Sequence, residues 1–226
     1  MKPPISSQLT PIYSFVVALT GGSKSVIRFT NYPKPGEQTE LYNKAKIWEA
    51  ARATSAVTTF FAPIDITTDG TTRQFLDGGL GQNNPINDLW IEAASQFCPA
   101  GTALEPRIRV LLSLGTGRPR LSAFGDSIRE IATSIIAIAD ETQNTADTFD
   151  RMHPELALQD RYFRLNPPDI SEVGLDEASK RDVIAERCEV YGQDPETQRM
   201  VARWTGAAGD EQSASAVAAL AVQELE

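Results

Sequence analysis

Asp77 is the carboxylate of this chain best placed to do chemistry. It stands in Gln74-Phe75-Leu76-Asp77-Gly78-Gly79-Leu80-Gly81-Gln82-Asn83-Asn84-Pro85, after a short apolar run and just before a helix start marked by Asn84 and Pro85. Strand ends that feed helices are where α/β sheets place ligands. A carboxylate there can accept a proton once desolvation lifts it from its solvated pKa of about 4. Gly78 and Gly79 have a geometric reading too, because glycine adopts positive φ and permits close backbone approach. By physics alone, turn geometry and chemistry account for the triplet about equally well.

A base needs a nucleophile to activate, and the remaining candidates each have a structural explanation. No G-x-S-x-G occurs in the 226 residues. Gly21-Gly22-Ser23-Lys24-Ser25 comes nearest, but its fifth residue is Ser and Val26-Ile27-Arg28-Phe29 continues as strand where a nucleophile elbow requires a helix. Ser23 is therefore read as part of a hairpin turn. Ser55 lies in a helix of small residues and Ser113 in a buried strand, and packing explains both. The single histidine, His153, sits in the proline-marked connection Arg151-Met152-His153-Pro154 and is expected at the surface. Gly115-Thr116-Gly117 lacks the GK[ST] ending and the GxGxxG frame of phosphate loops, and reads as a strand-ending turn.

The elements that must position these residues follow from periodicity. Tyr13 to Leu19 and Val26 to Phe29, separated by Gly21-Gly22, predict a hairpin. Ile47, Ala50, Ala51 and Thr54 recur at helical spacing and predict a buried helix over residues 44–58. Thr72 to Leu76 is a strand delivering Asp77. Asn84 caps a helix beginning at Pro85, whose apolar face is Ile86, Leu89, Trp90, Ala93 and Phe97. Val110-Leu111-Leu112-Ser113-Leu114 suits a strand buried on both faces. The longest helix carries Ile128, Ile131, Ala132, Ile135, Ala139, Thr142, Ala146 and Phe149 on one stripe, after Asp126 or Ser127 as cap. The Ile and Trp stripes of the helices are read as core faces. Arg161 to Leu165 reads as a last strand, then come helices from Asp176 to Tyr191 and, capped by Asp194, from Pro195 to Trp204. The Ala- and Ser-rich stretch after Gly206 is expected to be a loosely docked helix or a frayed tail. Strands alternating with amphipathic helices give the α/β class.

Composition bounds the function. The net charge of −9, with no Lys/Arg cluster, excludes a nucleic-acid partner. Cys98 and Cys188 are far apart and lack zinc-site spacing, so no metal site and no disulfide framework is expected, and a reducing compartment is the default. The opening residues lack an apolar signal core and no run is long enough to cross a bilayer. The expected location is cytoplasmic.

Three stretches in order, Ile47-Trp48-Glu49-Ala50-Ala51-Arg52-Ala53-Thr54-Ser55-Ala56-Val57-Thr58-Thr59-Phe60-Phe61, Phe75 to Pro85, and Leu112-Ser113-Leu114-Gly115-Thr116-Gly117, resemble the C-terminal portion of a patatin-like phospholipase domain of fungal type. The resemblance covers roughly Ile12 to Met200. It implies a three-layer α/β/α fold with a Rossmann-like sheet, a partial domain over residues 1–204 and a tail over 205–226. It also implies a serine lipid acyl hydrolase working by a Ser-Asp dyad without cofactor, with Asp77 as the catalytic base and Gly78 and Gly79 completing its motif. The substrate class it implies is phospholipid or acylglycerol, met through peripheral membrane contact. In that family's layout the serine segment and the oxyanion loop precede the point where this chain begins.

Two functions stay open at this level. One is a lipid acyl hydrolase whose serine lies on a missing N-terminal segment, which makes the chain a fragment inactive alone. The other is a non-catalytic patatin-like descendant that binds lipid or a protein partner.

Overall fold

The computed structural model describes residues 12–34, 40–57, 61–117, 129–168, 170, 177–209 and 217–222. The chain divides into two compact units, Met1–Gly81 and Gln82–Glu226. Each has its own sheet, and α/β is the class, as the patterning predicts.

In the first unit, β1 (Phe15–Thr20) and β2 (Val26–Thr30) form the expected hairpin, pairing Val16 with Phe29 and Ala18 with Ile27. Two short helices follow, α1 (Glu40–Lys44) and α2 (Ile47–Thr54). A second hairpin then joins β3 (Ile64–Thr68) to β4 (Thr71–Asp77) through Asp69 and Gly70, both left-handed at φ 50° and 78°. Two left-handed residues match the twist of the flanking strands, which makes Asp-Gly a favoured hairpin turn. The sheet is antiparallel, in the order β2-β1-β4-β3.

One face of that sheet carries Ala18, Phe29, Ile66 and Phe75, packed with Ala53 of α2 and rimmed by Val16, Ile27, Leu41, Ala45, Ala50 and Ile64. Phe29 and Phe75 meet edge to face, ring centroids 5.1 Å apart. Side chains directly opposite in a ladder, and at i and i+2 along a strand, share a face. Asp77 pairs with Ala18 and follows Phe75 by two residues, so it stands on the face covered by α2.

The helix expected over residues 44–58 is therefore shorter, and Ile47 and Ala51 of its expected stripe, with Trp48, face outward. Alanines let α2 lie close on the sheet, so Ala50, Ala53 and Thr54 turn inward while Ile47 is 91% and Trp48 59% exposed. Spacing alone marks a stripe without saying which side of the helix a neighbour will cover.

In the second unit, α3 (Gly79–Gln82), whose last residue opens the unit, leads to α4 (Ile86–Phe97). The helix starts one residue later than expected, with Pro85 in the cap position, and Asn84 Oδ1 accepts the N–H of its first residue, Ile86, at 3.3 Å. β5 (Ile108–Leu114) is the central strand, parallel to β6 (Tyr162–Leu165) on one side and to β7 (Val217–Val222) on the other. Between them run α5 (Arg129–Met152), α6 (Pro154–Leu158), α7 (Arg181–Gln193) and α8 (Pro195–Gly209).

Both faces of β5 are covered, as its unbroken apolar run predicts. Ile108 and Leu111 pack with Ile86, Ala93, Leu104, Phe149 and Leu156. Val110 and Leu112 pack with Phe163, Met200 and Trp204. A register irregularity between Ile108 and Val110 lets Ile108 and Leu111 share a face. Helices thus lie on both sides of this sheet, the α/β/α layering that the resemblance implies. On the α5 stripe, Thr142, Ala146 and Phe149 are buried as expected, while Asp126, Ser127 and Ile128 lie outside the described residues.

Residues 217–222 form a strand, where a helix or a frayed tail is expected from composition. The Val-Ala-Ala-Leu-Ala-Val run meets the open edge of β5 far away in sequence. A distant parallel partner leaves no local sequence signal.

Asp194 Oδ2 accepts the N–H groups of Glu196 and Thr197, each at 2.9 Å, as an N-cap should. Asp194→Ala is expected to lower stability by about 1 kcal/mol, read as an earlier midpoint in urea with an unchanged slope. An unchanged midpoint would remove this cap from the account of α8.

Candidate functional site around Asp77

Asp77 is held by backbone on two sides. Opposite Ala18 it closes the β1–β4 ladder, and its own N–H donates to Ala56 O at 3.1 Å, just beyond the C-terminus of α2. Its Oδ1 accepts the N–H of Gly79 in a short hydrogen bond that folds the side chain back over the turn. Burial raises the Asp77 carboxyl above the usual carboxylate range, and the Gly79 hydrogen bond pulls it partway back. The position thus yields a half-buried carboxylate, more basic than a solvated one and fixed in direction.

Gly78 is required here for space rather than for conformation. Among the described residues, the glycines at positive φ are Gly70, Gly101 and Gly117, so the conformational reading of Gly78 and Gly79 is corrected. A Cβ on Gly78 would run into the Val17 carbonyl oxygen, with the carbonyl carbon at 2.8 Å and Val17 Cβ at 3.1 Å. The same oxygen accepts the Thr54 hydroxyl at 2.6 Å. Thr54, Ala56 and Val17 thus clamp the turn that carries Asp77. Sequence reasoning missed them as supports, although Ala53-Thr54-Ser55-Ala56 lies within a quoted stretch.

The other candidates are placed as follows. Ser23 shares hydroxyl hydrogen bonds with Thr20 and Ser25, each 2.7 Å, inside the β1–β2 turn. Ser55 donates to Ala51 O at 2.9 Å at the helix end, and buried Ser113 accepts from Arg164 Nη1 at 2.7 Å. All three serve structure, as expected.

His153 departs from expectation. It is not a surface residue: its side chain is only 11% exposed, with Trp90 and Phe149 rings 4.1 and 4.6 Å from its own. Its Nδ1 lies 3.2 Å from Glu105 Oε1. The ring is thereby committed to the packing of the second unit. Arg151, Met152 and Pro154 are exposed, so the connection itself runs over the surface as expected and only the His153 ring turns inward.

Gly115-Thr116-Gly117 follows β5 as irregular backbone, without the expected turn. The Gly115 N–H donates to Leu165 O at 2.8 Å, and the Gly117 N–H to the buried Asn166 Oδ1 at 2.9 Å. Among the described residues no three His, Cys, Asp or Glu side chains gather as a metal site, and no helix is long and apolar enough to cross a membrane.

Comparison with known proteins addresses the same region. Residues 19–90 match the patatin-like phospholipase family. The calcium-independent phospholipase A2-gamma of Mus musculus is 30% identical over 179 residues, 76% of this chain and 21% of that protein. Its counterparts in Oryctolagus cuniculus and Rattus norvegicus are 29% and 30% identical over 165 residues. The chain spans about one fifth of the length of these relatives. The segment that matches the family runs from the end of β1 into α4 and contains Asp77, Gly78, Thr54 and Ala56, and over these residues the chain belongs to the patatin-like phospholipase family.

Proposed function

We propose that the chain supplies the general base of a serine lipid acyl hydrolase, with Asp77 as that base and the serine on sequence beyond these 226 residues. The observation that carries the reading is the placement of Asp77: half-buried, raised by desolvation and aimed by Gly79 and Ala56. In this reading Asp77 takes the serine hydroxyl proton as the oxygen attacks an ester carbonyl, and an acyl-enzyme forms. The proton then passes to the leaving alcohol, and water releases the fatty acid. Gly79 occupies Oδ1, which leaves Oδ2 to receive the proton.

Phospholipid is favoured over acylglycerol because the relatives are named phospholipases A2, and their calcium-independence agrees with a carboxylate dyad working without metal. The absence of G-x-S-x-G from the 226 residues keeps a second reading, a non-catalytic lipid- or protein-binding module.

The test is fatty-acid release from phosphatidylcholine micelles. A longer polypeptide bringing a G-x-S-x-G segment to these residues is expected to release fatty acid, and the 226 residues alone none above the uncatalysed rate. Silence from the longer polypeptide would favour the binding module.

A further inference from the structure

We infer that Thr54 is a positioning residue for Asp77, its hydroxyl fixing the end of α2 against β1 so that the carboxylate is held both covered and aimed. This rests on the proposed role of Asp77 as the base and adds the residue through which the fold sets its surroundings.

Two neighbouring residues at the end of α2 use their hydroxyls differently. Ser55 donates to the carbonyl four residues back, Ala51 O, at 2.9 Å, the local bond that helical serine and threonine often make. Thr54 instead reaches across to Val17 O of β1, at 2.6 Å. The other inward residues of α2, Ala50 and Ala53, bring only methyl groups to the sheet, and apolar contact has no preferred direction. The hydroxyl supplies that direction, because a short hydrogen bond fixes where on β1 the helix end lies.

The same helix end holds Asp77. Two residues beyond Thr54, Ala56 O accepts the Asp77 N–H at 3.1 Å. Val17 adjoins Ala18, the ladder partner of Asp77, and the Val17 carbonyl closes on Gly78. Thr54 thus ties the strand that pairs with the base to the helix end that binds it. Asp77 stands on the face that α2 covers, and burial is what raises its carboxyl. The inward residues of α2 and the partner Ala18 are uncharged, and Arg73, on the same face of β4, pairs with Glu40 of α1 at 3.4 Å. Cover, rather than a neighbouring charge, sets the basicity of Asp77.

Carboxyl-carbon NMR titration of the 226-residue chain tests the proposal, with the Asp77 signal assigned by its loss in Asp77→Asn. Thr54→Val keeps the shape of the side chain without the donor, and is expected to lower the Asp77 midpoint by about half a pH unit or more as water reaches the carboxylate. Thr54→Ser restores the hydroxyl and is expected to titrate with the parent. In a polypeptide that also carries the serine, Thr54→Val is expected to lower kcat by about tenfold at unchanged KM, and Thr54→Ser to recover it. An unchanged midpoint in Thr54→Val, or a Thr54→Ser that follows Thr54→Val, would overturn the proposal, because a threonine that only stabilises the fold leaves the titration of a folded chain unmoved. Should Thr54→Val not fold, the unaltered chain still decides. Its Thr54 hydroxyl proton is expected as a slowly exchanging resonance, and a freely exchanging one would overturn the proposal equally.

Failure here is separable from failure of Asp77. If Asp77 is not the base, Asp77→Asn leaves hydrolysis unchanged while the titration still answers to Thr54.

Discussion

Asp77→Asn, made in a polypeptide that also carries the nucleophilic serine, is expected to lower kcat for phospholipid hydrolysis by about 10²–10⁴-fold while leaving the fold intact. Asparagine keeps the oxygen that accepts the Gly79 N–H but cannot accept the serine proton. The same substitution is expected to raise stability at neutral pH. Burial lifts the Asp77 carboxyl above its unfolded value, so the folded chain holds this proton more tightly than the unfolded one. That contribution is fully present below the unfolded pKa and is lost as pH rises through the folded pKa. The asparagine side chain carries no charge to desolvate. Thermal unfolding should therefore show the variant above the parent near pH 7, with the gap closing in acid. Hydrolysis by the parent should fall as pH drops through the raised Asp77 pKa. A variant that is both less stable at neutral pH and fully active would contradict the role and the environment assigned to Asp77.

Gly78→Ala is expected to cost about 3 kcal/mol, the upper end for an added methyl, because it meets backbone rather than a yielding side chain. The Val17 carbonyl it would strike belongs to β1, an interior strand held by β2 on one side and β4 on the other. Thr54 fixes the same carbonyl from the helix. Neither β1 nor the turn can retreat without opening the Ala18–Asp77 pairing, so the base would be displaced along with the fold. Gly22→Ala is the control: its Cβ would meet nothing within 4 Å, and the change should stay within about 0.5 kcal/mol. Urea midpoints compare the two directly. Equal midpoints would mean that the turn has room that the backbone contacts deny.

The parts legible in the sequence are those that local chemistry specifies. Gly21-Gly22 between apolar runs gives the first hairpin, Asp194-Pro195 gives the start of α8, and the run over Val110 to Leu114 gives a strand covered on both faces. Asp69-Gly70 carries equally local information, and a strand begun only at Thr72 overlooks it together with β3.

What escapes is set by distant partners. Ile47 and Trp48 look like core until α2 is seen to lie on its alanines. His153 looks exposed until Trp90 and Phe149 close on its ring. β7 exists because β5, far earlier in the chain, has an open edge. At the site, Asp77 is visible from its motif, whereas the reason Gly78 must be glycine lies on the first strand, at Val17.

The central claim is that Asp77 activates a serine, and labelling by a fluorophosphonate, which reacts only with an activated serine hydroxyl, tests it most directly. The rate is compared between a serine-containing polypeptide and its Asp77→Asn form, with the 226 residues alone alongside. The account predicts a fall of about 100-fold or more in the variant and no label on the 226 residues. Equal labelling of parent and variant, or a labelled serine within the 226 residues, would contradict it.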